Sequence, residues 1–366
     1  MYLIINLMLI IFCSLYMLIE PMIIENTRRY VIGAVIFVGA VLYAFRPQST
    51  KDTIGYINSF VDIEKFKING INLLQKYNGY EYGYIILMKV FKSISSNYRI
   101  FFFCISLFGL GLTIYALYKL TIDDLDKNGE ELFIALECVV ALYISNYGFL
   151  YNGISVRAGL SIGLGLLFVV CILKKHIILA TITFIIGFSF QRTIVVFLII
   201  SLILCSPLII KKRFHAIIWA TLGVVLFSGL SEKYIYSIVG ILEKIITRYK
   251  ISGYGSFLAT LDFGIGLRDI YVWLLYGLLI AISNDDSRLL RFLNIVMVGA
   301  FVVVFMHDVR AVSRVYDLFM LFSIPIIANY YVGNTNNHNI LYQFRGITTF
   351  AICCIGSVLM LKLCFY

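Results

Sequence analysis

The stretch FLNIVMVGAFVVVFM (292–306), HDVRAVSRVYD (307–317), LFMLFSIPIIANYYV (318–332) decides the fold class. Two long apolar runs flank a short segment holding His307, Asp308, Arg310, Arg314 and Asp317. Apolar runs of this length read as membrane helices, for which roughly 20 residues span the hydrocarbon. Ionisable groups at the end of such a helix are costly unless they have a partner or a ligand. Arg310 and Arg314 are four apart, so on a helix they share a face.

Outward from that stretch the whole chain has the same character. Of 366 residues, 61% are hydrophobic and only 14% are charged, against about 25% charged in a soluble domain. The mean hydropathy is +0.93. This composition predicts an all-α polytopic membrane protein, read as a single integral membrane domain over 1–366. Transmembrane helices are expected near 1–19, 30–45, 98–120, 132–150, 156–173, 177–190, 194–210, 216–230, 270–283, 292–306, 316–332 and 347–366. That makes about twelve. The N-terminal segment lacks the basic start and small-residue cleavage site of a signal peptide, so it reads as a first helix that stays. The pair 177–190 and 194–210 is short enough to be one bent element.

Charge orients the bundle. Arg28-Arg29, Lys174-Lys175, Lys211-Lys212-Arg213 and Arg288 with Arg291 fall in alternate loops. With those loops in the cytoplasm, both termini lie outside. Two larger extracytoplasmic loops then follow, about 46–97 and 231–269, both rich in Tyr, Gly and charge. Within the first, 84–94 is too short to span and reads as an interfacial helix. The formal net charge of +10 is largely explained by this distribution. With no soluble basic domain, it does not point to nucleic acid.

The anomaly is on the outer side. Arg157, Arg192, Arg310 and Arg314 fall in or beside short outer loops, where few cations are expected. Guanidinium presents a planar fork that matches phosphate oxygens, so this set predicts a grip on a phosphate-bearing, lipid-linked ligand. The competing reading is interfacial snorkelling and ion pairing. Asp308 and Asp317 read as partners of Arg310 and Arg314. Asp52, Glu81 and His307 remain three alternatives for a group that takes a proton. The turn Tyr151-Asn152-Gly153 leads into a helix with small residues at Ala158, Gly159, Gly163 and Gly165, a close-packing face.

The eight cysteines lie in apolar runs without CxxC spacing, which argues against a disulfide framework or a zinc site. There is no P-loop, GxSxG or HExxH. No cofactor or metal is expected.

With these residues in view, the chain is similar to the EpsG/Wzy-like family of bacterial polysaccharide polymerases. The resemblance runs from about Tyr43 to Ile327. It rests on Arg46-Pro47 ending the second helix, then Asp52 and Tyr56, then Glu81-Tyr82-Gly83-Tyr84. After these come Asn152 to Arg157 and Ser313-Arg314-Val315-Tyr316. Many relatives carry a His where this chain has Gln191-Arg192, and the resemblance implies a substrate contact there. It further implies a GT-C-like bundle at the bacterial inner membrane. The activity it implies joins undecaprenyl-pyrophosphate-linked glycan repeat units of O-antigen or a similar surface polysaccharide. Membrane lipid is a partner on this reading, with room for a flippase and a chain-length regulator. An O-antigen ligase-like transferase and a transporter of lipid-linked glycan are the alternatives.

Overall fold

The computed structural model of the protein describes residues 2–19, 25–50, 52–65, 76–77, 80–122, 129–230, 264–306, 313–333 and 344–365. Among them the architecture is all-α apart from one two-residue hairpin. Five helices are long and apolar enough to cross a membrane: Tyr98–Ile122, Glu131–Ile154, Val156–Leu173, Ser287–Met306 and Arg314–Val332. Five more are apolar but shorter. Each segment expected from sequence to cross the membrane is largely helical, whether or not it reaches that length.

The chain divides into two compact units, 1–201 with 328–366, and 202–327. The first holds α1 (Tyr2–Ile19), α2 (Glu25–Ala44), α3 (Thr53–Val61), α4 (Tyr82–Ile94), α5 (Tyr98–Ile122) and α6 (Gly129–Tyr143). It continues with α7 (Val156–Leu173), α8 (Ile177–Phe190) and the start of α9 (Val196–Cys205). The second holds α10 (Lys212–Phe227), α11 (Leu267–Ile282), α12 (Ser287–Met306), α13 (Ser313–Met320) and the first half of α14 (Ser323–Val332). The last helix, α15 (Arg345–Phe365), belongs to the first unit.

The centre of the first unit is α5 against α7. Glycine permits the approach, because a Cβ on Gly163 would stand 2.8 Å from Leu112 Cβ and 3.2 Å from the Thr113 amide nitrogen. Close backbone approach is how membrane helices gain packing energy without a hydrophobic driving force. Between α6 and α7 the chain runs through a π-helical stretch, Ile144–Ile154. Its last turn closes through the Ser155 amide donating to Leu150 O at 2.9 Å. Ser155 O then accepts from the amides of Ala158 and Gly159 and starts α7. π-Helical turns are rare and frequent at functional sites.

Asn152 locks this stretch in place. Its Nδ2 donates to the Tyr143 hydroxyl at 2.8 Å, and its carbonyl accepts from Ser106 Oγ at 2.8 Å. Its Oδ1 occupies the space that a Cβ on either Gly109 or Gly159 would need. The small-residue face expected on α7 is therefore a socket for Asn152 as well as a helix-packing face.

The segments 177–190 and 194–210 are separate elements. Gln191 is extended, with φ −161° and ψ 132°, and a short 3-10 turn, Arg192–Val195, precedes α9. In the second unit, α13 and α14 are interrupted at Leu321-Phe322. Pro325 explains the break, since it lacks an N–H and its ring clashes with the carbonyl four residues back, that of Leu321. Helices α10 and α11 are clasped by the chain's two tryptophans. Trp219 and Trp273 stack at 4.8 Å, and each Nε1 donates to the other's carbonyl at 3.0 Å.

The loop expected over 46–97 is more structured than its composition suggests. It contains α3, α4 and the hairpin pairing Lys76 with Glu81 and Tyr77 with Tyr80. Asn78-Gly79 stands between the paired residues in sequence, the dipeptide that two-residue hairpin turns favour. The interfacial helix expected at 84–94 is helical over Tyr82–Ile94. Of the second expected loop, residues 231–263 lie outside the described residues, and Leu267 already begins α11.

Candidate functional site

The site of the first unit starts where α2 stops. Proline disfavours helical geometry at the residue before it, so Pro47 ends the helix near Arg46. Arg46 is buried at 6% exposure. Its Nε donates to Thr53 Oγ1 at 2.9 Å, and its Nη1 donates to the Gly153 carbonyl. The guanidinium lies 4.2 Å from the Phe102 ring centroid and 5.9 Å from that of Tyr56. One buried cation thus ties the end of α2, the start of α3, α5 and the turn that leads to Arg157.

Asp52 stands at the N-cap of α3 with φ 63°, in the left-handed region, and is exposed. Aspartate tolerates this conformation better than most residues. A non-glycine residue held there is a strained position of the kind that gathers at functional sites.

The motif Glu81-Tyr82-Gly83-Tyr84 has a packing reason in its glycine. A Cβ on Gly83 would stand 2.8 Å from Ser189 Cβ and 2.9 Å from Ser189 O, and would also meet Ser189 Oγ. Only glycine lets the start of α4 lie against the end of α8. That contact sets the flanking side chains, Glu81 and Tyr84.

Glu81 receives Arg157. Arg157 Nη1 donates to Glu81 Oε2 at 2.5 Å, with the carboxylate side chain 4% exposed and the arginine 21%. The Arg157 guanidinium lies 5.1 Å from the Tyr80 ring centroid. Tyr80 stacks on Tyr56 at 5.4 Å, and Tyr84 meets Tyr56 at 5.9 Å and Tyr80 at 5.6 Å. Burial pushes the phenols of Tyr56 and Tyr84 above their ordinary value near 10. Arg157 pulls against that shift at both, and Arg46 does so at Tyr84.

Arg192 belongs to the same unit. Ser161 Oγ lies 3.2 Å from both Gly187 O and Gln191 O, tying the turn before Arg192 to α7. Ser161 is four residues after Arg157, on the same helix face. Arg192 is half-buried on its 3-10 turn.

The remaining expected site residues divide between the second unit and the undescribed segments. Arg314 is exposed near the start of α13. His307, Asp308 and Arg310 lie outside the described residues. Asp317 has a partner that sequence spacing did not offer, because Arg268 Nη2 donates to Asp317 Oδ1 in a buried ion pair. Arg268 also lies 4.9 Å from the Tyr316 ring centroid. Arg268 is 49 residues from Asp317, so no local pattern could have named it.

Two further groups escape a motif-based reading. Arg46 is recognisable from sequence only as the residue before a proline, while its role is set by contacts 7 and 107 residues away. Glu137, buried in α6, accepts from the Tyr16 hydroxyl at 2.7 Å. Its signal was an acid alone in an apolar run, which marks a functional or paired group by default. Among the described residues, no three His, Cys, Asp or Glu side chains gather where a metal ion would sit.

The family model described as the EpsG family matches residues 29–364. Nothing among the curated proteins or the solved structures matches the chain.

Proposed function

The chain belongs to the EpsG family of glycosyltransferase-like polysaccharide polymerases of the membrane, and from that premise we propose that it joins undecaprenyl-pyrophosphate-linked oligosaccharide repeat units. The reaction takes place on the outer face of the bacterial cytoplasmic membrane. The bundle crosses about twelve times, with both termini outside. The product is O-antigen or a similar surface polysaccharide. Neither a metal nor a nucleotide takes part.

The observation that carries this reading is the Glu81–Arg157 pair set among Tyr56, Tyr80 and Tyr84. It brings together two residues that the family resemblance singles out 76 positions apart. An acceptor sugar hydroxyl attacks the anomeric carbon of the donor glycan. The new glycosidic C–O bond forms as the bond to the pyrophosphate oxygen breaks. Asp52, exposed and in a strained backbone conformation, takes the hydroxyl proton. Glu81 holds Arg157 in place, so its role is positioning. Arg157, Arg192, Arg310 and Arg314 stabilise the negative charge that develops on the leaving pyrophosphate, the kind of electrostatic contribution that is often the largest in catalysis. His307 is the second proton acceptor to test.

The test is purified protein in lipid with lipid-linked repeat units, read by mass profile of the glycan. Elongation by the natural chain, lost in Asp52→Asn with the fold intact, is the expected result. Translocation without elongation would replace the polymerase with a transporter. Glycan transfer confined to a lipid-A-core acceptor would replace it with a ligase. Elongation retained in Asp52→Asn and lost in His307→Ala would move the proton to His307.

A further inference from the structure

Tyr84 carries a buried hydroxyl with no hydrogen-bond partner among the described residues. The side chain is fully buried, and its ring is fixed by Tyr56, Tyr80 and Phe101 at centroid distances of 5.9, 5.6 and 5.8 Å. A buried hydroxyl left unpaired is costly, and native proteins leave few such groups without a reason. The ring needs no hydroxyl for its packing, since phenylalanine would stack equally well. Two other buried polar atoms without a described partner belong to neighbouring segments. Thr50 Oγ1 lies just before Asp52, and Gln191 Oε1 just before Arg192.

The surroundings favour one kind of partner. Arg157 lies 5.1 Å from the Tyr80 ring centroid and Arg46 5.9 Å from that of Tyr56, and both rings pack on Tyr84. An O–H placed beside two guanidinium groups is complemented by an anionic oxygen. A phenol is protonated at neutral pH and burial reinforces that state, so the O–H is there to donate. Arg157, which packs on the Tyr80 ring, is a fifth exposed.

We propose that the Tyr84 hydroxyl is a substrate-binding group that donates to a phosphate oxygen of the polyprenyl pyrophosphate, completing an anion site with Arg157. This rests on the polymerase reading for its choice of ligand. The donor is in place before the substrate arrives, the phosphate must displace packing to reach the buried hydroxyl, and the unpaired hydroxyl is the stability given up for it. Tyr84 belongs to the Glu81-Tyr82-Gly83-Tyr84 motif, so one short segment supplies the carboxylate that holds Arg157, the glycine that seats the helix and the donor.

Tyr84→Phe removes one oxygen and keeps the ring, which makes opposite-sign predictions for stability and binding. The test is thermal unfolding of the full chain in detergent, alone and with undecaprenyl pyrophosphate, undecaprenol or inorganic pyrophosphate. Without ligand, Tyr84→Phe should unfold at the same temperature as the natural chain or higher. Undecaprenyl pyrophosphate should stabilise the natural chain, and its affinity should fall roughly ten- to a hundredfold in the variant, the range for a hydrogen bond to a charged group. Undecaprenol should bind both alike, since it lacks the phosphates. Inorganic pyrophosphate competing in the natural chain alone would locate recognition in the phosphates rather than the tail. A variant that is less stable without ligand would mean the hydroxyl has an internal partner and would overturn the proposal. So would equal affinity for undecaprenyl pyrophosphate, or no binding to the natural chain. Failure of the polymerase reading would appear separately, as absent elongation despite binding that depends on Tyr84.

Discussion

Replacing Arg157 by methionine takes the buried Arg157 charge away from the Glu81 carboxylate, which is 4% exposed. Removing one partner of a buried ion pair costs ~3–5 kcal/mol, so Arg157→Met should sit in that range. Glu81→Gln is gentler. The amide keeps the shape of the side chain and can still accept from Nη1, and Arg157 reaches solvent over a fifth of its surface. A loss of about 1–3 kcal/mol follows, the penalty for weakening a charged hydrogen bond. In the double variant neither charge remains to be stranded. It should therefore be more stable than the two single losses predict, by about 0.5–3 kcal/mol. Chemical denaturation of all four proteins in one detergent closes the cycle. Losses that add to within about 0.5 kcal/mol would refute the pair as a coupled unit. Arg157→Lys separates the two roles, because lysine restores the charge without the planar fork. It should recover much of the stability and little of the polymer length. Full polymer from Arg157→Lys would show that phosphate recognition there needs only a point charge.

Three further outcomes follow from the same geometry. Gly83→Ala should lower stability by about 1–3 kcal/mol, the cost of overpacking, and Ser189→Gly should rescue only part of it, because Ser189 O still stands 2.9 Å from the new Cβ; full rescue would mean the backbone contact is slack. Asp52→Ala should be less stable than Asp52→Gly by about 1 kcal/mol, since only glycine holds φ 63° without steric cost; equal stabilities in thermal melts would contradict the left-handed geometry. The unfolded chain ionises its tyrosines near their ordinary value of 10, while Tyr56 and Tyr84 hold their protons beyond it in the fold. Their contribution is therefore complete below pH 10 and lost as pH rises through the folded values; a melting temperature flat above pH 10, or a slope unchanged by Tyr84→Phe, would count against their burial.

The fold class was legible because it depends on quantities that add along a chain. Length of apolar run, scarcity of charge and the places where charge recurs were enough to locate the helices, from 1–19 to 347–366. The same local logic found Arg46-Pro47 as a helix end, and Arg157 as a cation entering a small-residue helix. Gln191-Arg192 was readable as a break only in part, since one extended residue divides what composition allowed to be a single bent element.

The site was harder to read because its contacts join residues far apart in sequence. Arg157 meets Glu81 across 76 positions, Arg46 meets Gly153 across 107, and Arg268 meets Asp317 across 49. Helical spacing offers partners three to four residues away, such as Arg314 for Asp317, and has no means of offering Arg268. Electrostatic pairing needs only proximity, and proximity between distant segments is a product of packing: Gly83 against Ser189, Asn152 between Gly109 and Gly159. The charged stretch 307–317 showed that the chain had ionisable groups to accommodate at membrane helix ends. The tertiary fold gave Asp317 its partner in Arg268 and, in the first unit, left the buried hydroxyl of Tyr84 near Arg46 and Arg157.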